Sequence, residues 1–494
     1  MSAAPSIPES LEFVLKRRPR CPPFVDAKSV DDLLPYLESV AKRKYVPGAL
    51  HVNWDLQKGE KVLLKCDTWH DPLVIEACKE ILERYGCDYE IEKAERGDPP
   101  RFDGHDEVEI FLQITKELAH DMERWAQLDR DGVYDKILWG FGGPVLTEAK
   151  MKIARMPFIT PEMLASPAHT IPGELLAAID AWTDRTCRGA VRGRVTDPEG
   201  TDISFPLPDV YFDKNDRSRW NLEKTAEWWP QMIGPMSTYT PGHIAARPFV
   251  MYDEPGIDQI NGVIAGTMNH VGPYPRIEMK VEDNRITTIE GGGLFGEKLR
   301  TLAEQTKDIH YPGFPGKGIM WLFEIAIGTN PKIHRPRQNY LSGWICGVYE
   351  RMRSGIIHLG FGTIITSAPE VKAALAGHPT GHWHIHLNFA TVEIETADGE
   401  VVKVIDEGRL CALDDPEVRK VAERTGDDPE WWLEEDWIPA VPGLNCEGSY
   451  EAYAADPTSW TLAELEICRN YHPLFMRMVN AEPSGAHRHG ADCH

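Results

Sequence analysis

Residues 381–388 read GHWHIHLN, in which His382, His384 and His386 recur at every second position. Successive side chains of a β-strand point to opposite faces of the sheet. A strand here therefore places the three imidazoles on one face and the apolar side chains between them on the other. Neutral imidazole is the commonest protein ligand for transition metals. The segment predicts a strand that carries a metal site, and the alternative is a strand with an exposed histidine face.

The composition limits the class of protein. A chain of 494 residues is too long for one ordinary core, which predicts two domains with extensions. The formal net charge of −24 argues against nucleic-acid partners and against binding to an anionic membrane, because both require basic surfaces. No apolar run reaches membrane-spanning length, and the first residues lack a signal-peptide pattern. The cysteines form no Cys-x-x-Cys pair, so we expect reduced thiols and a cytoplasmic location.

The first half of the chain alternates strand and helix patterns. A short buried strand at 62–66 precedes an amphipathic helix pattern at 71–86, and a further strand and helix are expected at 136–141 and 173–188. Such alternation is typical of a partly parallel sheet covered by helices. Residues 25–190 are therefore predicted to form an α/β domain.

Strands and tight turns replace this alternation further along the chain. Hairpins are expected with turns at 196–202 and 282–284, and at Asp398-Gly399, which is a strong turn signal. Residues 191–410 are therefore predicted to form a mixed, β-rich α+β domain that binds the metal. Three flanking segments complete the predicted organisation: an irregular arm (1–24), an acidic Trp-rich extension (411–480) and a flexible tail (481–494).

Two further segments place ionisable groups inside apolar sequence. Glu324 lies within IMWLFEIAIGTNP (319–331), where a carboxylate is costly unless it is paired, protonated or bound to a metal. His358 lies within SGIIHLGFGT (354–363). A lone buried histidine is more often a satisfied core residue than a ligand. Together with His384 and His386, however, these residues make a Glu/His/His/His set that predicts one common metal site.

These motifs resemble those of the aminopeptidase T/aminopeptidase S metallopeptidases. EIAIGTNP (324–331) is similar to the family's ELGIGTNP, and GIIHLGFG (355–362) is similar to its GTxHIALG. The resemblance extends diffusely over about residues 45–410. It implies an N-terminal α/β domain, a C-terminal metal-binding domain and a homo-oligomer.

The resemblance also implies a ligand set, which this chain changes. Three of the family's ligands carry over, as Glu324, His358 and His384. His386 stands where the family has an aspartate, His243 near its first glutamate, and Ile365 near its tyrosine. Imidazoles in place of carboxylates remove negative charge that two adjacent dications need. We therefore expect one divalent metal ion rather than two.

Relatives of this family with altered ligands include ring-cleaving dihydroxypyridine dioxygenases that use one iron(II). The first hypothesis is a mononuclear non-haem iron(II)-dependent dioxygenase that cleaves a hydroxylated aromatic or heteroaromatic small molecule. Its metal ligands would be Glu324, His358, His384 and His386, and its catalytic residues His243 and His386. The alternative is an aminopeptidase-like metallohydrolase with zinc, cobalt or manganese. A third hypothesis is a catalytically silent relative that binds partners through the Trp-rich extension.

Overall fold

The structure is a computed structural model, and it describes most of the chain. The described residues are 19–20, 25–46, 49, 51–95, 104–140, 150–207, 239–240, 242–247, 259–311, 314–335, 349–363, 373–425, 428–435 and 437–479. Most of the predicted arm, the whole predicted tail and Ile365 lie outside these residues.

A four-stranded parallel sheet organises the first part of the chain. Its strands are β1 (Lys61–Asp67), β2 (Asp88–Ala94), β3 (Lys136–Trp139) and β4 (Lys152–Arg155), in the order β2-β1-β3-β4. The helices of this part are α1 (Val30–Lys42), α2 (Pro72–Tyr85), α3 (Glu107–Asp131), α4 (Pro161–Leu164) and α5 (Gly173–Arg188). The predicted strand at 62–66 and the predicted helices at 71–86 and 173–188 are confirmed.

The local chemistry explains why α2 begins and ends where it does. The Asp71 carboxylate accepts a hydrogen bond from the Leu73 N–H at the start of the helix, and Pro72 occupies the first helical position. Gly86 ends the helix with a φ of 67°, a left-handed conformation that favours glycine. These signals fix the length of the helix that the sequence predicted after β1.

Two antiparallel sheets make up the second part of the chain. The strands are β5 (Ala190–Thr196), β6 (Asp202–Pro206), β7 (Tyr239–Thr240), β8 (His243–Arg247), β9 (Asn261–Met268), β10 (Pro273–Glu282), β11 (Arg285–Gly291), β12 (Leu322–Ile327), β13 (Ile357–Gly362), β14 (His382–Leu387), β15 (Thr391–Thr396), β16 (Val401–Asp406) and β17 (Arg409–Leu410). The larger sheet has the order β11-β10-β9-β6-β5-β15-β16-β17, and the smaller has the order β14-β13-β12-β8-β7. All three predicted hairpins are present. The fold class is therefore confirmed as a parallel α/β part followed by a β-rich part, whereas the exact domain boundaries stay a prediction.

The remaining helices lie between and after these strands. They are α6 (Gly293–Thr306), α7 (Pro416–Thr425), α8 (Pro429–Trp432), α9 (Tyr450–Ala455) and α10 (Pro457–Val479). Among the helices that the structure describes, none has both the length and the apolar character needed to cross a bilayer. The acidic extension packs on the β-rich part, because Trp437 is buried under Arg335 and the Tyr450 hydroxyl donates to Glu199.

The smaller sheet has one apolar face and one polar face. Ile385 and Leu387 of β14 join a core that also contains Ile264 of the larger sheet. The two sheets approach closely at Gly266, where a Cβ would lie 2.8 Å from the Ile385 side chain. The histidines of β14 therefore occupy the opposite face, on which helix α3 packs through Phe111.

One buried turn residue joins the β10–β11 hairpin to β12. Asn284 has a φ of 66° and is 1% exposed, and its Nδ2 donates to the Leu322 carbonyl at 2.9 Å. Its backbone carbonyl accepts from the Leu322 N–H at 3.0 Å. Asparagine tolerates the left-handed conformation, so this residue serves both the turn and the start of the strand that carries Glu324.

We expect Asn284→Ala to lower the free energy of unfolding by about 1–3 kcal/mol, because it leaves the Leu322 carbonyl unsatisfied and disfavours the turn conformation. The control is Asp398→Ala in the exposed turn between β15 and β16, where we expect a change of about 0.5 kcal/mol or less. Denaturant unfolding measures both. Equal effects in the two variants would contradict the assigned role of Asn284.

Candidate metal centre

The register of the smaller sheet brings the candidate ligands to one face. Glu324 lies opposite Gly360 on the neighbouring strand, and Gly360 lies opposite His384. In the next row, His358 lies opposite His386. Directly opposed residues share a face of the sheet, so side chains from three strands converge. The predicted one-sided arrangement of the histidines on β14 is confirmed.

The Glu324 carboxylate lies between two pairs of imidazoles. One oxygen, Oε1, is 3.1 Å from His358 Nε2 and also contacts His243 Nε2. The other, Oε2, is 2.8 Å from His382 Nε2 and 3.3 Å from His384 Nε2. We call these five residues the Glu324 cluster. Its polar atoms converge from strands β8, β12, β13 and β14.

Gly360 provides the space in which this cluster forms. A Cβ at this position would lie 2.7 Å from His382 Nε2 and 2.9 Å from Glu324 Oε2. Both distances are shorter than van der Waals contact, so any larger residue would displace one of these groups. The glycine therefore lets the carboxylate and the imidazole meet between two strands.

The charges of the cluster are unbalanced. Burial lowers the pKa of His358 to about 3 and lowers that of His384 well below its usual range, so both imidazoles are neutral near pH 7. Burial alone would raise the pKa of Glu324, but the neighbouring His243 and His358 outweigh it and hold that pKa well below its ordinary value. The carboxylate is 4% exposed, and its partners among the described residues are histidines. The buried carboxylate has no lysine or arginine among its direct contacts within the described residues, which makes its desolvation costly.

A divalent metal ion fits this donor set. Bonds of about 2.1 Å to first-row ions separate neighbouring ligand atoms by about 3.0–3.4 Å. The separations between Glu324 oxygens and histidine nitrogens run from 2.8 to 3.3 Å at three of the four contacts. His243 Nε2 and His358 Nε2 are 2.8 Å apart, a spacing that an ion or a shared proton would explain. Two groups of two histidines and one glutamate can each hold an ion: His243/Glu324/His358 and Glu324/His382/His384.

A second carboxylate fixes the backbone around the cluster. Glu107, at the start of α3, is fully buried and accepts the His384 N–H through Oε1 and the His270 N–H through Oε2, each at 2.8 Å. Burial raises its pKa well above the ordinary value, against the effect of these donors. The His270 ring lies 3.6 Å from the His384 ring, measured between centroids. Glu107, His270 and His384 form a third group with metal-ligand spacing.

The structure brings most of the sequence-predicted residues, but not all of them, into the Glu324 cluster. Glu324, His358 and His384 meet in the cluster, and so does His243, which was expected near the site. His386 shares the sheet face, but its ring lies 6.1 Å from that of His358, and both of its ring nitrogens are buried without a hydrogen-bond partner. Its role as a ligand or catalytic residue stays a prediction.

Sequence reasoning missed three residues around the site. His382 was expected beside the ligands or at the surface, and its Nε2 lies 2.8 Å from Glu324 Oε2. Glu107, His270 and Arg351 were not identified, because each is a single residue without a periodic pattern around it. Only His270 had a signal that could have indicated its role. Its segment is buried, follows strand β9 and precedes Gly272-Pro273.

Comparisons with known proteins give structural matches of low similarity. No protein-family model matches the chain, and no curated protein matches it. The structure of 2,5-dihydroxypyridine dioxygenase from Pseudomonas putida KT2440 matches with a TM-score of 0.41 and 16% identity, over 78% of this chain and 98% of that one. Wild-type AmpT from Thermus thermophilus matches with a TM-score of 0.40 and 13% identity, over 77% of this chain and 100% of that one. Both kinds of protein were named by the resemblance of the sequence motifs.

We expect Gly360→Ala to weaken metal binding about 10- to 100-fold, because the added methyl group displaces His382 or the Glu324 carboxylate. Titration of the purified protein with a divalent metal, followed calorimetrically, measures the affinity. Gly173→Ala is the matched control, since a Cβ there meets its nearest neighbour at 4.0 Å. Unchanged affinity in a folded Gly360→Ala protein would mean that no ion sits beside Glu324 and His382.

Proposed function

We propose that the chain is a metal-dependent enzyme whose Glu324 cluster binds one divalent metal ion. The observation that carries this proposal is a buried glutamate placed between two pairs of imidazoles. Its oxygens lie about as far from the histidine nitrogens as two ligand atoms of one metal ion lie from each other. Such an arrangement is costly as a purely structural network, because the carboxylate is desolvated without a lysine or arginine in direct contact within the described residues. An ion would supply a positive charge at that point.

Charge favours one ion over two. Within the described residues, Glu324 is the carboxylate whose oxygens face the imidazoles, while both oxygens of Glu107 already accept backbone N–H groups. Two adjacent dications would bring far more positive charge than one carboxylate balances. The buried guanidinium of Arg351, which hydrogen-bonds to His270, adds to the excess. The single ion would then be held by one of the two-histidine, one-glutamate groups.

The donor set favours iron(II) and a ring-cleaving dioxygenase reaction. Two histidines and one carboxylate with open positions form the ligand set of many non-haem iron(II) oxygenases. Bound iron(II) would supply oxygen activation, and a hydroxylated aromatic or heteroaromatic small molecule would be the substrate.

The chain's own residues would position both reactants. Glu107 holds the backbone of His384, and Phe111 packs against the His384 ring and helps to keep water away. His386 has two ring nitrogens with no partner within the described residues, so either one can hydrogen-bond a substrate hydroxyl. His243 is 7% exposed and contacts Glu324, where it can serve as a ligand or exchange a proton. These roles agree with the sequence-based assignment of His243 and His386 to catalysis.

The same donor set supports a second function. Two histidines and a glutamate also hold catalytic zinc, which activates water for hydrolysis. An aminopeptidase-like metallohydrolase with zinc, cobalt or manganese is therefore the alternative. The catalytically silent relative remains the third hypothesis, since Trp437 of the extension is buried but Trp460 is exposed. A homo-oligomeric, cytoplasmic protein remains part of the proposal.

Removing the charge of Glu324 should abolish metal binding. We expect the metal affinity of Glu324→Gln protein to fall by more than about 10- to 100-fold, which is the cost of losing a residue that only holds a ligand in place. The purified variant should therefore retain less metal than the native protein. Glu464→Gln is the matched control: its carboxyl is buried, and burial raises its pKa to about 7, but it accepts from the Ala440 N–H instead of facing histidines. Elemental analysis of anaerobically purified protein should give about one ion per native chain. Equal metal content in all three proteins would contradict the proposed centre.

Reaction chemistry separates the two functions. With iron(II) restored to metal-free protein, we expect oxygen uptake in the presence of catechol- or hydroxypyridine-type compounds, and none after His384→Ala. Release of free amino acids from peptides by a zinc-loaded protein holding two ions per chain, without oxygen uptake in the iron form, would replace the dioxygenase by the hydrolase.

A further inference from the structure

Arg351 and Arg155 form no hydrogen bond or ion pair with a carboxylate within the described part of the chain, although the charge of the nearby Glu324 carboxylate partly opposes the effect of burial on the pKa of Arg351. Arg351 donates from NH1 toward His270 Nε2 at 3.2 Å, and its Nε is buried without a partner. Arg155, the last residue of β4, donates from Nε to the Ala49 carbonyl at 3.1 Å. Neither arginine has an ion pair in this part of the chain. Burial lowers the pKa of Arg351 to about 10, so its guanidinium keeps its charge.

Two other arginines within the described residues each make two hydrogen bonds to acceptors. Arg335 forms a two-point pair with the Glu350 carboxylate. Arg43 donates from NH2 to the carbonyls of His169 and Ile171 at 2.8 and 2.7 Å. Burying a guanidinium without several acceptors is costly, so Arg351 stands out: its one hydrogen bond goes to an imidazole, and its buried Nε has no partner in the described part of the chain.

Arg351 lies next to the candidate metal centre. It is one hydrogen bond from His270, whose ring is 3.6 Å from that of His384 and 4.8 Å from that of His386 between centroids. Its charge also helps to lower the pKa of the Arg155 guanidinium, which burial lowers first, so the two cations are neighbours. Arg155 ends a strand of the parallel sheet, at the edge where such sheets commonly bind ligands.

The hydrogen bond to Arg351 defines the tautomer of His270. Arginine is only a donor, so His270 Nε2 accepts and Nδ1 carries the hydrogen. This Nδ1 is buried and has no hydrogen-bond partner, in a side chain that is 1% exposed. A buried donor without an acceptor therefore lies beside the cationic group and the cluster.

We propose that Arg351, assisted by Arg155 and the Nδ1–H of His270, binds a carboxylate of the substrate, so that the substrate is a small aromatic acid. This inference rests on the proposed function, because it adds a substrate class to the same site. A guanidinium offers parallel N–H donors that match the two oxygens of a carboxylate. The anion would balance the buried positive charge while the ring lies toward the Glu324 cluster.

The test compares benzoate with its neutral isostere benzamide, by calorimetric titration of the full chain in both its metal-free and metal-loaded forms. Neither probe carries the ring hydroxyl by which the proposed substrate would meet the metal, so carboxylate recognition can be measured with and without the ion. We expect benzoate to bind about 10- to 100-fold more tightly than benzamide, and Arg351→Gln to remove this preference. Inorganic phosphate is the third probe, and we expect it to bind more weakly than benzoate.

Arg43→Gln is the matched control, because burial also lowers the pKa of this arginine to about 10, but it donates from NH2 to two backbone carbonyls. It should lower stability and leave the benzoate preference intact. If Arg351→Gln does not fold, Arg155→Gln and Arg351→Lys replace it in the experiment. We expect each of them to weaken the preference for benzoate over benzamide.

A native protein that does not distinguish benzoate from benzamide would overturn the inference, and so would a folded Arg351→Gln protein that still does. Tighter binding of phosphate than of benzoate would replace the carboxylate by a phosphate group. Benzoate selectivity in a protein that binds no metal would leave the anion site standing and refute the proposed metal function instead.

Discussion

The desolvated carboxylate of Glu324 is the constraint on which the account depends. It lies in the middle strand of a five-stranded sheet, where water cannot solvate it, and its direct contacts within the described residues are imidazoles. Two of those imidazoles, His358 and His384, are neutral near pH 7 because burial lowers their pKa values. The proposed metal ion would supply a positive charge at that point, and the ligand distances suit a transition metal ion.

The rest of the sheet is arranged around this requirement. Glycine at position 360 leaves room between the carboxylate and His382, and the register puts His384 in the same row. The opposite face is apolar and packs on the larger sheet. This packing holds in place the strands that carry the ligands. Helix α3 closes the polar face from the N-terminal part, with Glu107 hydrogen-bonded to the backbone of His384. Rigid strands with fixed backbone partners are the kind of support that a preorganised metal site needs.

Local patterns in the sequence were sufficient for the elements and for part of the site. The alternation in 381–388 predicted a strand with a histidine face, and the apolar surroundings of Glu324 and His358 indicated buried ionisable groups on strands. Such local patterns do not specify the register of the strands or the contacts between distant residues. The contact of His382 with Glu324 depends on how two strands align across β13, and Glu107 meets His384 across 277 positions of sequence. Arg351 and His270 lie in irregular segments, where no periodicity marks a side chain as directed toward a site.

X-ray absorption spectroscopy of the metal-loaded protein tests the central claim most directly, because it reports the atoms around the ion. The account predicts a first shell of nitrogen and oxygen atoms at about 2.0–2.2 Å, with the multiple scattering of at least two imidazoles and no sulfur. It predicts no second metal at the about 3.5–4 Å that separates ions in two-metal sites. We expect the imidazole signal to be absent from the spectrum of Glu324→Gln protein. A shell without imidazoles, or a clear metal–metal distance, would contradict a single ion held between Glu324 and its histidines.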